Sequence, residues 1–119
     1  MLIFCGFEIE LFVDEVLTRD DGLRVCCGRD GTGHRWLIAR VDEDPDYLAW
    51  LCAPVSERAI RAVVTGCASP RDVIRHSATG TVELVAVDHG RAVPDRCLLC
   101  ADIPEALLPD PDLVVPLAA

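Results

Sequence analysis

The chain has 119 residues, of which 51% are hydrophobic and 26% charged, and its formal net charge is −9 at pH 7. This length and composition predict one domain over residues 1–119 that buries a core without a disulfide or a metal, and they exclude wholesale disorder. Twenty acidic residues against eleven basic ones create a field that repels phosphate backbones, so we predict no nucleic-acid partner.

Seven cysteines could form a disulfide framework in a secreted protein, but the odd count and the start of the chain favour free thiols. Residues 1–5 lack the basic region of a signal peptide and run into Glu8 and Glu10. No apolar stretch reaches the roughly 18 residues of a membrane span. We therefore expect a cytoplasmic protein with no membrane partner, whose cysteines are mostly buried as small hydrophobic residues.

The first half of the chain has the pattern of four strands separated by turns. Apolar and polar residues alternate over residues 7–13, which is the period of a strand with one buried face. Further strands are expected over residues 23–27 and 34–41, and the glycines of residues 28–33 predict a hairpin loop between them. The mostly apolar run over residues 47–55 predicts a central strand.

Two helix starts follow this run. Ser56 and Ser69 each suit an N-cap, because a hydroxyl can accept from an unpaired amide in the first turn. Pro70 follows Ser69 at the first helical position, which proline favours. Gly66 is expected to end the first helix, and the second is expected to run to about His76.

The last third of the chain predicts two more strands, over residues 81–87 and 97–100, and about one helical turn over residues 103–109. The apolar residues 113–117 form either a last edge strand or a docking segment; we favour the strand because a sheet edge tolerates proline. The predicted fold is α+β, with a mainly antiparallel sheet of five to six strands and a two-helix pair on one face.

Three stretches of the chain carry a pattern of turns and element starts: residues 35–44, residues 50–56 and residues 68–73. They contain an acidic turn before a Trp-Leu strand, a Pro-Val-Ser helix start and a Ser-x-Arg-Asp element. In these features the chain resembles a family of small bacterial and phage-associated proteins of unknown function, over about residues 34–109. The resemblance implies the fold and brings no catalytic residues.

One acidic motif imitates a calcium loop. Asp42, Asp44 and Asp46 match its first three ligands, but Tyr47 stands where glycine is required and Ala53 where a bidentate glutamate is required. An EF-hand is therefore excluded.

The cysteine spacing raises the question of a metal or redox site. Cys97 and Cys100 have the spacing of half a zinc site, which Cys26 and Cys27 with a histidine could complete. The two leucines between Cys97 and Cys100 favour a buried position instead. A redox pair and a cysteine nucleophile are alternatives that spacing alone does not support. We predict no metal and no cofactor.

Two charged segments of opposite sign are the candidate partner-binding residues. The basic one lies on the predicted helices and consists of Arg58, Arg61, Arg71 and Arg75. The acidic one precedes the central strand and consists of Asp42, Glu43, Asp44 and Asp46. Each is also compatible with a merely solvated surface.

The absence of a recognisable catalytic set favours a protein-interaction module, adaptor or regulator, which docks through its helical pair or its acidic segment. An antitoxin, immunity or anti-defence inhibitor that blocks a basic partner is the first alternative. A small enzyme or metal protein that uses Asp88, His89 and the cysteines is the second. A homodimer is left open, because an edge strand near the C-terminus could pair with its copy.

Overall fold

The computed structural model describes residues 2–6, 9–20, 23–44, 47–88 and 91–109. The strands in this part of the chain are β1 (Leu2–Gly6), β2 (Ile9–Asp20), β3 (Leu23–Arg29), β4 (Arg35–Asp44), β5 (Tyr47–Pro54), β6 (Thr81–Asp88) and β7 (Arg91–Leu99). Two helices, α1 (Glu57–Val64) and α2 (Pro70–Arg75), connect β5 to β6. After β7, residues 100–109 form the C-terminal segment, which contains two 3₁₀ turns, Cys100–Asp102 and Glu105–Leu107.

The seven strands form one sheet in chain order, and each strand is antiparallel to its neighbours. β1 also contacts β7, so the sheet curls until its first and last strands approach each other. The predicted α+β class, with an antiparallel sheet and two helices, is confirmed. The predicted segment 113–117 lies outside the described residues.

Three strands differ from their predictions. β2 runs from Ile9 to Asp20, well past the predicted end at residue 13. β1 is an apolar run of five residues without alternation, so no strand was predicted there. β7 begins at Arg91, well before the predicted residue 97. It contains Pro94, and proline favours the end of a strand. At this point the register with β6 shifts: Leu84 pairs with Arg96, and the next residue, Val85, pairs with Pro94. This β-bulge accommodates the proline within the strand.

The sheet buries residues on both faces. One face packs under the helices, where Leu37 and Leu51 of the central strands belong to the same buried cluster as Ile60 and Val63 of α1. α2 and the C-terminal segment complete this cluster with Val73, Ile74, Ile103, Leu107 and Leu108. The opposite face holds a smaller cluster of Leu11, Cys26, Trp36, Ile38, Cys52 and Val85. The helices therefore lie on one face, as predicted.

Both predicted helix starts are confirmed by cap hydrogen bonds. The Ser56 hydroxyl accepts from the amide of Ala59 at 3.1 Å, and the Ser69 hydroxyl accepts from the amide of Asp72 at 3.2 Å. Gly66 has φ +77°, a left-handed conformation that glycine adopts readily, and it follows the last residues of α1 as predicted. Within the described ranges, no helix has both the length and the apolar character needed to cross a bilayer.

Candidate functional site

The exposed face of α1 carries two arginines. Ile60 and Val63 turn the opposite side of the helix into the core, which leaves Arg58 and Arg61 exposed three residues apart. Neither guanidinium pairs with an acidic side chain among the described residues. Because Arg35 pairs with Glu57 at 3.2 Å, the acid nearest in sequence to Arg58 is already engaged.

The two arginines of α2 are placed differently. Arg71 and Arg75 lie one turn apart, and both form ion pairs with Glu105 of the C-terminal segment. Arg71 also donates to the carbonyl oxygen of Pro109 at 3.1 Å, and only 15% of its side chain is exposed. The predicted basic surface therefore divides into an open pair on α1 and a pair on α2 that holds the end of the described chain.

The acidic segment lies at the end of β4. Asp42 pairs with Leu48 and Asp44 with Tyr47, and the register shift between them places Glu43 in a bulge. Asp46 lies outside the described residues, as do the side chains of the other three acids. The acidic segment as a partner-binding site stays a prediction.

The hairpin loop between β3 and β4 is organised by Asp30, a residue that the sequence did not single out. Its Oδ1 atom accepts from the amide of Thr32 at 2.9 Å, the hydroxyl of Thr32 at 2.6 Å and the amide of His34 at 3.0 Å. Its Oδ2 atom accepts from the indole Nε1 of Trp36 at 3.0 Å. Burial alone would raise the pKa of Asp30, but the hydrogen bonds outweigh it and lower that pKa from 3.8 to about 2.

A row of thiols and one carboxyl crosses the sheet on the face opposite the helices. Cys26 pairs with Ile38, Ile38 with Cys52, Cys52 with Glu83, and Glu83 with Cys97. Burial raises the pKa of Cys52, and the nearby Cys26 and Glu83 raise it further. Burial and the Glu83 carboxyl also raise the pKa of Cys97. Cys52 and Cys97 therefore stay protonated at neutral pH, whereas nucleophilic attack requires the thiolate.

The cysteine pairs that suggested half a zinc site are separated by the sheet. Cys26 belongs to the cluster on one face, and Cys27 to the helix-covered cluster. Cys100 packs against the helix-covered cluster and contacts the Ser77 hydroxyl at 3.3 Å, whereas Cys97 lies beside Glu83. Within the described ranges, no three histidine, cysteine or acidic side chains are grouped so that they could hold a metal ion.

Six of the seven cysteines have described side chains, and all six are free thiols. Cys26, Cys27 and Cys52 are buried, as expected, but Cys67 and Cys97 are exposed. Cys67 follows α1 in the turn toward α2, and Cys97 lies on the last strand of the sheet. Alternation along the strand does not predict the exposure of Cys97, because it depends on whether a further element covers the residue.

A cavity of about 670 Å³ lies between the end of α2 and the C-terminal segment. Its lining includes Arg75 and His76 of α2, Gly80 of the turn before β6, and Cys100, Ile103 and Glu105 of the C-terminal segment. A volume of this size can hold a small organic molecule. Sequence reasoning missed this site because its walls come from segments far apart in the chain.

Comparison with known proteins gives no match: no family model, no curated protein and no solved structure matches this chain.

Proposed function

We propose that this chain is a non-enzymatic interaction module that docks on an acidic surface of another protein through the exposed face of α1. The observation that carries this proposal is the open pair of Arg58 and Arg61. The chain has twenty acidic residues and eleven basic ones, yet these two guanidinium groups have no acidic partner among the described residues. Arginine forks bind carboxylates in pairs, so such a face suits an acidic partner.

The contrast with the other arginines supports this choice of surface. Arg35, Arg71 and Arg75 are each paired with an acid within the chain, and these pairs hold elements together. Arg58 and Arg61 stabilise nothing comparable, and their helix is anchored through its buried residues. We therefore assign them to recognition, and we assign Arg71 to holding the C-terminal segment.

The test is capture of the native partner from a lysate of the host by tagged protein, followed by measurement of the association rate with the purified partner. The double variant Arg58→Ala/Arg61→Ala should lose capture and slow association, because exposed charges mainly set the association rate and its salt dependence. Its melting temperature should stay unchanged, since surface substitutions have small effects on stability.

The matched control is Arg58→Lys/Arg61→Lys, which keeps both charges and should retain most of the association rate at low salt. If the double alanine variant captures the same partner at the same rate and with the same salt dependence, α1 is not the docking surface.

An acidic inhibitor of a basic partner, such as an antitoxin or immunity protein, is the second candidate. The net charge of −9 favours it, because an excess of acid accelerates association with a basic active site. Expression of a neighbouring gene should then be toxic, and this chain should relieve the toxicity. We also propose a cytoplasmic location, because the six cysteines whose side chains are described are free.

A further inference from the structure

The cavity beside α2 has fixed walls. The amide of Cys100 donates to the carbonyl oxygen of Gly80 at 2.9 Å, which joins the C-terminal segment to the turn before β6. The Ser77 hydroxyl donates to the carbonyl oxygen of Thr81 at 2.7 Å and contacts the Cys100 sulfur. Gly80 adopts φ +76°, a conformation that suits glycine. These hydrogen bonds fix the wall segments relative to one another.

The hydrogen-bond donors of the side chains at the cavity are only partly paired. Arg75 contacts Glu105 through Nη2 alone, and 41% of its side chain is exposed. A guanidinium has five N–H donors, so most of those on Arg75 have no partner among the described residues. His76 Nδ1 lies 2.8 Å from the carbonyl oxygen of Asp72, which can only accept, so Nδ1 carries the proton.

The three ion-paired side chains at this site carry a net positive charge. Arg71 and Arg75 share the single carboxylate of Glu105, which leaves one positive charge uncompensated within the trio. One negative charge on a ligand matches this surplus. A phosphate carries more negative charge and would be opposed by Asp72 and Asp102, two exposed acids on the elements that form the walls.

We propose that this cavity binds a small organic carboxylate, with its anionic group on the free donors of Arg75 and its apolar body against Ile103 and Cys100. This site goes beyond the docking function proposed above and does not depend on it. Glu105 acts as a positioning residue, because its ion pair with Arg75 holds the guanidinium at the cavity.

The test is a titration of the isotope-labelled full chain followed by amide NMR shifts, with butyrate as the probe. Butyrate should produce saturable shifts around Arg75, Gly80 and Glu105, with a dissociation constant on the order of 1–10 mM for so small a ligand. Butyramide has nearly the same shape without the charge and should bind at least about tenfold more weakly. Inorganic phosphate should also bind more weakly than butyrate.

The variant Arg75→Gln should weaken butyrate binding about tenfold or more. Its folding is checked by its melting temperature, which should change little because the Arg75 ion pair is exposed. Arg58→Gln makes the same substitution on α1 and should leave butyrate binding unchanged. The proposal is overturned if butyrate shifts do not saturate, if butyramide or phosphate binds as tightly, or if Arg75→Gln binds butyrate like the unmodified chain.

Discussion

Single residues fix the local geometry of the β3–β4 hairpin. One carboxylate, that of Asp30, satisfies two backbone amides, a hydroxyl and the indole N–H of Trp36. Trp36 is itself buried in the smaller cluster, so Asp30 joins the loop to the core on that face. The neighbouring strand β2 imposes a second local requirement, at Gly28.

Replacing Asp30 by asparagine tests the carboxylate. The amide of Asp30→Asn has one acceptor oxygen and cannot accept from both the loop amides and the indole, so a buried donor loses its partner. We expect the free energy of unfolding at pH 7 to fall by about 1–2 kcal/mol, measured by urea denaturation. Asp102→Asn is the control at an exposed acid and should change it by less than about 0.5 kcal/mol.

The same variant has a defined pH dependence. The folded-state pKa of Asp30 is lowered from 3.8 to about 2, so its carboxylate contributes stability above pH 3.8 that is lost as the pH falls toward 2. The unmodified chain should therefore lose more stability than Asp30→Asn between about pH 4 and pH 2, by about 1 kcal/mol once solvent screening is included. Parallel curves for the two proteins would show that the carboxylate is not specially stabilised.

Gly28 is required because of a close backbone contact. A Cβ atom at this position would lie 2.5 Å from the carbonyl oxygen of Phe12 on β2, which cannot move without shifting the strand. We expect Gly28→Ala to destabilise the fold by about 1–3 kcal/mol. Gly31 in the adjacent loop has nothing within 4 Å of such a Cβ, so Gly31→Ala is the matched control and should have little effect. Equal melting temperatures would contradict this reading of Gly28.

At the scale of elements, local chemistry could be predicted from the sequence and non-local pairing could not. Ser56 and Ser69 act on amides three residues away, so the starts of α1 and α2 were predicted correctly. β7 was predicted too short because the bulge that accommodates Pro94 depends on pairing with β6. Likewise, Arg75 and Glu105 are 30 residues apart, so their ion pair could not be predicted from the sequence.

The pairing of β5, β6 and β7 also places Glu83 between two thiols. Its Oε2 atom is buried with no hydrogen-bond partner among the described residues, and burial raises the pKa of Glu83 above 4.5. Because the neutral acid is favoured in the fold, this carboxyl costs no stability below pH 4.5, and it lowers stability as the pH rises through its folded pKa. The hydrogen bond from Cys97 offsets part of this cost.

Glu83→Gln should therefore be more stable than the unmodified chain at pH 7, by a few tenths of a kcal/mol because solvent still reaches part of the side chain. The difference should vanish below about pH 4, where the carboxyl is protonated in both states. Melting temperatures at pH 7 and pH 4 measure it. Asp102→Asn, at an exposed acid, should show no such pH-dependent gain, and a destabilised Glu83→Gln at pH 7 would contradict the assigned cost.

At the scale of the whole molecule, the C-terminal segment joins the helical layer to the sheet. Ile103, Leu107 and Leu108 pack into the helix-covered cluster, and Arg71 fastens the segment at its end through Glu105 and the Pro109 carbonyl. The 3₁₀ turns of the segment lie against α2 and β4. The docking of the segment therefore completes the burial of the cluster and also forms one wall of the cavity beside α2.

Arg71→Ala tests this fastening. The variant removes a mostly buried guanidinium and leaves the Pro109 carbonyl without its donor, so we expect a loss of about 1–3 kcal/mol in the free energy of unfolding. Arg71→Lys keeps the charge but cannot form the two-pronged contact, and it should recover only part of the loss. Arg61→Ala, on the exposed face of α1, should cost less than about 0.5 kcal/mol.

Faster amide hydrogen exchange over residues 103–109 in Arg71→Ala would locate the effect, since a loosened segment opens before the sheet does. If Arg71→Ala and Arg61→Ala unfold alike, the segment is held by its apolar residues alone.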